Sequence, residues 1–317
     1  MKAPGRLIDV GGRRLHVRAA GDGLPVVVFD AALGASSISW LFVQPRVTEF
    51  ARTFSYDRAG FAWSDAGPMP RTAGRIADEL RVLLERAGEQ PPYLLVGHSY
   101  GGLVMRIFAS RYRADVAGMV LVDPAHPEDW LTPAPNEQKK IDRGVRLCRQ
   151  GRIASKLGIA RLISELIGLG AVGPARGLVD RISRGEVGGD IDWLLAPLWK
   201  IPPEARRPLR SHWTKAKFYD ALGSQIATIS ESARETLEAA QDGYGDIPLV
   251  TISMTNPGDH RLRQQERLAR LSARGRHVIA AHSGHWIPLD EPELVIHEIR
   301  RVHDHVSAAA TRLRSAI

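Results

Sequence analysis

The chain has a single cysteine and lacks the common metal-binding and P-loop motifs. Cys148 is the single cysteine among 317 residues, so no internal disulfide can form. No motif around it indicates a reactive thiol, and this cysteine usage fits a reducing compartment. Paired zinc-binding histidines of the H-E-x-x-H type, cysteine clusters and a phosphate-binding P-loop are also missing from the sequence. We therefore expect no metal and no other cofactor.

Long apolar runs are missing too. No stretch approaches the roughly 18 uninterrupted apolar residues of a membrane-spanning helix. The segment 1–9 carries a lysine but no apolar region after it, unlike a secretory signal. These observations predict a cytoplasmic protein without a membrane span.

Positive charge is in excess but is not concentrated. The formal net charge is +8, and aromatic residues make up only 6% of the chain. Basic residues are dispersed, with short pairs such as Arg13-Arg14, and they do not alternate with stacking aromatics as single-strand binders require. We interpret the excess as a charge that favours solubility and expect no nucleic-acid partner. The sequence leaves the oligomeric state open.

The chain does contain a regular alternation of short β-branched runs with helical patterns. This alternation predicts an α/β fold with a mostly parallel, doubly wound sheet. A hairpin around Gly11-Gly12 precedes it. The predicted strands of the main sheet are 25–30, 53–57, 93–97, 117–123, 248–254 and 276–281.

Helical signals lie between several of these strands. A possible cap at Thr72, an apolar stripe at helical spacing and a terminal Gly88 predict a helix over 72–87. Helices are also predicted over 103–112 and from Pro292 onward.

The alternation stops in the middle of the chain. Residues 127–246 contain helical patterns and no convincing strand, and strand signals resume at 247. An insertion between two strands of such a sheet lies at their carboxyl ends, where ligands bind in open α/β folds. We therefore predict a core formed by 1–126 and 247–317, with a helical cap over 127–246 inserted after the sixth strand.

One motif carries a chemical prediction. Gly97-His98-Ser99-Tyr100-Gly101 follows a predicted strand and precedes a predicted helix. In this context a G-x-S-x-G turn forces its serine into a strained conformation with the hydroxyl exposed. The motif predicts Ser99 as a nucleophile.

With these residues the sequence resembles the α/β-hydrolase superfamily, in its esterase- and lipase-like branch, over nearly the whole chain except the cap. Residues 56–64, which read Tyr-Asp-Arg-Ala-Gly-Phe-Ala-Trp-Ser, are similar to that family's D-x-R-G-x-G-x-S stretch, with alanines in place of its inner glycines. The stretch is mainly structural in the family, so Asp57 and Arg58 are assigned no chemistry.

A serine nucleophile needs a general base, and histidine is the usual one. His285 follows the last predicted strand, where the resemblance implies the catalytic histidine. His282, beside the same strand, is the alternative. His98 adjoins the nucleophile, but the sharp turn should direct it away, and we interpret it as a packing residue. His303 and His305 are expected far away, on the last helix.

The acid that orients this histidine has two candidates. Asp123 ends the strand after that of the nucleophile, where several related dehalogenases and lipases place their acid. Asp259 follows the next strand, where most family members keep it, although its loop departs from the usual pattern. We prefer Asp123 and expect Asp259 to cap the helix that would run through Arg274.

The resemblance also implies an oxyanion hole built from two backbone N–H groups. These belong to Tyr100, directly after the nucleophile, and to a residue of the loop after the third strand, for which we predict Leu33. Most relatives carry His-Gly where this chain has Ala31-Ala32, so the register of the loop is open by one residue.

A second glycine pattern lies at 168–173 and matches G-x-G-x-x-G. A dinucleotide site would require a strand before it, whereas an amphipathic helical stretch precedes it. We therefore predict no dinucleotide binding.

Together these features predict a hydrolase that cleaves a small to medium, partly hydrophobic carboxylic ester through an acyl-enzyme. Lactones, thioesters, amides and perhydrolysis use the same triad and stay open as alternatives. A ligand-binding homologue with little turnover is the alternative from a different functional class, since fold alone does not fix function.

Overall fold

The computed structural model describes residues 4–187 and 191–315, and it contains one eight-stranded sheet. The strand order is β1-β2-β4-β3-β5-β6-β7-β8, and every pairing from β4 to β8 is parallel, while β1 and β2 are antiparallel. The strands are β1 (Arg6–Asp9), β2 (Arg14–Ala20), β3 (Val26–Asp30), β4 (Thr53–Tyr56), β5 (Tyr93–His98), β6 (Val116–Val122), β7 (Leu249–Ser253) and β8 (Gly275–Ile279).

The helices fall before, between and after these strands. They are α1 (Gln44–Val47), α2 (Ala73–Ala87), α3 (Tyr100–Arg111), α4 (Glu128–Leu131), α5 (Pro135–Lys156), α6 (Ile159–Gly168), α7 (Val172–Ser183), α8 (Ile191–Lys200), α9 (Pro203–His212), α10 (Ala216–Ala227), α11 (Ile229–Ala239), α12 (Asp259–Ala269), α13 (Ile287–Asp290) and α14 (Pro292–Ser315). Short 3-10 turns cover Ser37–Trp40 and Arg113–Asp115.

Both faces of the sheet are covered, which explains why its central strands read as continuous apolar runs. Every residue of β3 and β5 is buried. Helices α2 and α3 pack on one face with side chains such as Ile76 and Leu103. Helices α1 and α14 pack on the other face with side chains such as Val47 and Ile299. The predicted α/β fold with a mostly parallel, doubly wound sheet is confirmed.

Helix boundaries follow the local chemistry of the sequence. Thr72 is the N-cap of α2, and its side chain accepts a hydrogen bond from the N–H of Arg75 at 3.2 Å. Gly88 ends the helix in the left-handed region, as predicted. The helix predicted over 103–112 begins three residues earlier, at Tyr100, because the turn leads directly into it.

The predicted insertion lies between β6 and β7, and its described residues form helices. Helices α9 and α10 contact loops at the carboxyl ends of the strands. Phe218 packs edge-on against Phe61 and His212 against Trp63, both in the loop after β4. Leu222 lies 3.4 Å from the place where a Cβ on Gly34 would be, in the loop after β3.

The carboxyl end of the insertion is part of the core instead. Helix α11 packs against α2 and α3, and Ile229 and Tyr244 belong to the apolar cluster on that face of the sheet. The cap boundary predicted at residue 246 therefore does not coincide with a packing boundary, because α11 packs on the two helices that cover this face of the sheet.

Two smaller features complete the fold. Within the described ranges, no helix is long and apolar enough to cross a membrane. Cys148 lies on α5 and is buried, and this burial raises the pKa of its thiol to about 12. The thiol is therefore protonated at neutral pH, which agrees with its reading as an unreactive residue.

Candidate active site

Ser99 lies at the turn between β5 and α3, in a backbone conformation that few non-glycine residues adopt. Its φ is +54° and its ψ is −117°. Three hydrogen bonds hold the turn: the Ser99 N–H donates to Val122 O at 3.0 Å, and the Ser99 carbonyl accepts from Gly102 at 2.9 Å and Ala125 at 3.0 Å. Ser99 is partly exposed. Strain of this kind is typical of functional sites, where surrounding contacts hold the backbone in an unfavourable conformation.

Gly101 explains why this turn needs glycine. A Cβ built there would lie 2.5 Å from Asp30 O and 2.9 Å from Ala31 O, closer than side chains approach backbone. The first turn of α3 therefore rests directly on the end of β3 and the loop that follows it.

Asp123 follows β6 at the same edge of the sheet, with a φ of +37°. Its N–H donates to Ile252 O at 2.6 Å, which ties it to β7. The carboxylate is almost completely buried, and its Oδ2 lies 2.6 Å from Nδ1 of His285. Burial raises the pKa of Asp123, but the hydrogen bond and charge of His285 outweigh burial, so the net pKa is below the usual value.

His285 lies in the turn between β8 and α13, and 26% of its side chain is exposed. An ionised carboxylate only accepts hydrogen bonds. His285 therefore donates from Nδ1 to Asp123, and its Nε2 is left as the basic nitrogen. The structure thus joins the predicted base and the preferred acid across 162 residues of sequence.

The alternative acid and the alternative base lie elsewhere. Asp259 is the exposed first residue of α12, and among the described residues no hydrogen bond reaches its carboxylate. Gly258 occupies the N-cap and the helix ends at Ala269, so neither the expected cap nor the expected length over Arg274 is found. His282 is exposed, and its backbone N–H donates to Glu291 at 2.6 Å.

His98 is buried as predicted, but it is more than a packing residue. Its ring lies 4.9 Å from the ring of His285, and its Nε2 donates to the His285 carbonyl at 2.7 Å. Burial, then the neighbouring His285, lowers the pKa of His98 to about 3. A neutral His98 thus holds the backbone of the residue that carries the basic nitrogen. The neighbouring positions in the motif gave no signal for this contact.

The remaining histidines considered as bases lie on the last helix. His303 packs against Phe50, and His305 is 3.0 Å from the guanidinium of Arg274. Both are on α14, as expected.

The loop after β3 forms a β-turn at the candidate oxyanion hole. The N–H of Ala35 donates to Ala32 O at 3.1 Å, and Gly34 has a φ of +71°, which suits the third position of a type II turn. Within the part of the chain that the structure describes, no acceptor is found for the N–H groups of Leu33 or Tyr100. Tyr100 is the first residue of α3, and the first N–H groups of an α-helix have no acceptor within the helix.

The D-x-R stretch contacts this loop and the 3-10 turn that follows it. Asp57 accepts from the N–H of Ser37 at 2.8 Å and from Nδ1 of His16 at 2.8 Å. Burial raises the pKa of Asp57, but the hydrogen bond from His16 outweighs it and the net pKa is low. Arg58 is buried and bonds to the end of β3. The sequence assigned this stretch a structural role, and its contacts with the loop were not foreseen.

The second glycine pattern has no strand before it in the described structure. Gly168 ends α6 and Val172 begins α7, so the 168–173 segment joins two helices. The geometry of a dinucleotide-binding turn is therefore not present there.

Sequence comparison gives relatives of mixed description. The family described as "alpha/beta hydrolase fold" matches residues 25–161. The probable transporter efuK of Hormonema carpetanum is 39% identical over 127 residues, 38% of this chain and 18% of that protein. The uncharacterized protein YqjL of Bacillus subtilis is 40% identical over 99 residues, 31% of this chain and 39% of that protein. This chain therefore spans less than half the length of either.

A longer match runs through nearly the whole chain. An AB hydrolase superfamily protein of Gibberella zeae is 26% identical over 303 residues, 88% of this chain and 86% of that protein.

Solved structures share the fold at low identity. Epoxide hydrolase CorEH has a TM-score of 0.66 at 18% identity, over 94% of this chain and 97% of its own. An esterase of Thermogutta terrifontis has a TM-score of 0.63 at 20% identity, over 92% and 94%. The enol-lactonase of Burkholderia xenovorans has a TM-score of 0.61 at 16% identity, over 94% and 99%. With its mostly parallel sheet and its serine turn, the chain has the α/β-hydrolase fold, and the family described by that fold matches its residues 25–161.

Proposed function

We propose that this protein is a serine hydrolase that cleaves carboxylic esters through an acyl-enzyme intermediate. Ser99 is the nucleophile, His285 the general base and Asp123 the acid that orients it. The observation that carries the proposal is the 2.6 Å bond between Asp123 Oδ2 and His285 Nδ1, at the sheet edge where Ser99 turns out of β5.

The chemistry follows from the proton positions. Because Nδ1 donates to Asp123, Nε2 of His285 is free to take the proton of the Ser99 hydroxyl as the hydroxyl oxygen attacks the ester carbonyl. The same proton then passes to the leaving alcohol as the C–O bond breaks. Water, activated in turn by His285, attacks the acyl carbon and releases the acid and the free serine.

Negative charge on the carbonyl oxygen needs donors during both steps. The N–H groups of Tyr100 and Leu33 are the proposed donors, since neither has an acceptor among the described residues. Preorganised backbone donors of this kind stabilise the tetrahedral intermediate without having to reorganise.

The serine in the turn after β5 favours esters over the substrates of some structural neighbours. In the superfamily, epoxide opening and dehalogenation use an aspartate nucleophile, whereas this chain has Ser99. Phe61, Leu209, Trp213 and Phe218 place apolar side chains beside the candidate oxyanion loop, which favours a partly hydrophobic ester. Cyclic esters, thioesters, amides and perhydrolysis require the same three groups.

A panel of aryl esters of increasing acyl length, with lactones and thioesters beside them, tests the proposal. We expect hydrolysis by the wild type and a loss of up to ~10⁶ in kcat for Ser99→Ala and His285→Ala, since the residues act as a unit. His282→Ala is the matched control, because His282 is exposed three residues away. Retention of activity by Ser99→Ala within tenfold of the wild type would overturn the proposal.

The same panel separates an enzyme from a ligand-binding homologue. A binding protein would bind esters without consuming them, and Ser99→Ala would leave its behaviour unchanged.

A further inference from the structure

We propose that Arg58 is a positioning residue that fixes the direction of the backbone donors in the candidate oxyanion loop. This inference rests on the proposed function, because it concerns how the same site binds the developing oxyanion. It assigns a role to a side chain that does not itself touch the substrate.

The guanidinium of Arg58 is enclosed, with 2% of the side chain exposed. Its Nε donates to Asp30 Oδ1 at 2.9 Å, and its Nη1 donates to Ala32 O at 3.3 Å. Its Nη2 donates to Ala31 O. One side chain therefore holds the last residue of β3 and the next two carbonyls of the loop.

These contacts determine where the next N–H groups point. The peptide bonds after Ala31 and Ala32 are trans, and in a trans peptide the C=O and N–H groups point in opposite directions. Carbonyls held towards Arg58 therefore turn the N–H groups of Ala32 and Leu33 away from it. Since Ala32 O also accepts from Ala35, the peptide that contains the Leu33 N–H is held twice.

Arg58 also contacts the segment that carries the second donor. Its guanidinium carbon lies 5.0 Å from the centre of the Tyr100 ring. The first turn of α3 touches the same loop, because Gly101 has no side chain to separate it from Asp30 O and Ala31 O. Arg58 thus contacts both the candidate oxyanion loop and the first residue of α3.

No other side chain could make the same set of hydrogen bonds as the Arg58 guanidinium. Arginine carries five N–H donors in a rigid plane and stays charged at any pH at which proteins fold. A lysine would keep the ion pair with Asp30 but cannot reach two successive carbonyls in fixed directions. An apolar residue would lose the ion pair as well.

The test compares Arg58→Met and Arg58→Lys with a matched control, Arg71→Met. Arg71 is equally buried and pairs with a buried carboxylate, its Nη2 lying 2.6 Å from Glu79 Oε2, but its side chain has no bond to the loop. Readouts are kcat and KM for an aryl ester, the rate at which a fluorophosphonate labels Ser99, and the melting temperature.

We expect Arg58→Met to lower kcat by about 10²- to 10³-fold, the effect of losing one oxyanion donor, with KM changed less than threefold. Labelling should slow in parallel, since the phosphonyl oxygen occupies the same hole. Arg58→Lys should recover part of the loss. Arg71→Met should lower the melting temperature and leave kcat and labelling within threefold of the wild type.

Two results would overturn the inference. One is a folded Arg58→Met or Arg58→Lys protein whose kcat and labelling rate stay within threefold of the wild type. The other is an equal fall in kcat for Arg71→Met, which would mean that any buried arginine has the same effect. If Arg58→Met does not fold, Arg58→Lys alone decides, with at least a tenfold fall in kcat expected. Failure of the proposed function would instead be visible in Ser99→Ala, before any Arg58 variant is made.

Discussion

Strained residues mark the ends of two adjacent strands. Ser99 follows β5 and Asp123 follows β6, and both have positive φ angles. Residues held in such regions cost of order 1–3 kcal/mol each, and they persist where surrounding contacts hold them. Here the contacts are backbone bonds to Val122 and Ile252. The sheet therefore fixes the proposed nucleophile and the proposed acid before any substrate binds.

Asp123→Asn tests the assignment of the acid. An amide at this position can donate to Nδ1 of His285 and so favour the wrong tautomer, and the equivalent change in the serine-protease triad costs ~10⁴ in kcat. We expect a loss of that order, measured as kcat for an aryl ester. Circular dichroism should show that the fold is preserved.

Asp259→Asn is the control for this measurement. The exposed carboxylate of Asp259 should be replaceable with less than a tenfold change in kcat. A large loss only at Asp259 would transfer the role to the later loop, and moderate losses at both would mean that the two carboxylates share it.

Single residues differ in how far the sequence predicts them. Ser99 carries a local motif, and His285 and Asp123 follow strands whose ends meet at one sheet edge, so their proximity can be anticipated. The bonds of Arg58 to Ala31 and Ala32 span 27 and 26 residues and involve backbone acceptors that no pattern encodes. The contact of His98 with the His285 carbonyl is of the same kind.

At the scale of elements, α3 packs closely against the end of β3. Gly101 allows it, since a Cβ would meet two carbonyl oxygens at under 3 Å. The candidate oxyanion loop and the Ser99 turn are therefore in direct contact, and a structural change in one should alter the other.

Gly101→Ala tests this close contact. Overpacking against backbone should cost about 1–3 kcal/mol of unfolding free energy and lower kcat, because the loop must shift away from α3. Urea unfolding and ester kinetics measure the two effects.

Gly177→Ala is the matched change on α7, where nothing lies within 4 Å of the new Cβ. Replacing a glycine inside an exposed helix by alanine should stabilise it by up to ~1 kcal/mol and leave kcat unchanged. Equal stabilities for the two variants would contradict the tight packing at Gly101.

The ends of a helix follow from its local sequence, whereas its position in the fold depends on tertiary packing. The ends of α2 follow from Thr72 and Gly88, which act through neighbouring backbone groups. The placement of α11 in the sheet-side layer depends on its packing against α2 and α3. Helical periodicity identifies such a helix but does not tell which surface it will cover.

For the whole molecule, buried histidines should control stability in acid. Burial lowers the pKa of His98 to about 3 and, as the main cause, that of His126 and His212 to about 4. Below the ordinary pKa of about 6.5 the unfolded chain binds protons at these sites while the folded protein does not. Stability is therefore lost as the pH falls from about 6.5 towards 4.

We expect the free energy of unfolding to decrease by on the order of a few kcal/mol between pH 7 and pH 4.5. Urea titrations across this range measure it. His126→Gln should reduce the slope below pH 6 by about 1.4 kcal/mol per pH unit, whereas substitution of the exposed His297 should not. Stability that is constant down to pH 4.5 would contradict the neutral state of the buried rings.

The mechanism as a whole depends on Ser99 forming a covalent bond, and mass spectrometry of the fluorophosphonate-treated protein can detect that bond. We predict one adduct per chain, on the peptide that contains Ser99, with ester hydrolysis lost in step with labelling. Ser99→Ala should take up no label, and His285→Ala should label at least a hundredfold more slowly, since the alkoxide is formed by its imidazole. An adduct on a different residue, or full hydrolytic activity in the completely labelled protein, would contradict Ser99 as the nucleophile.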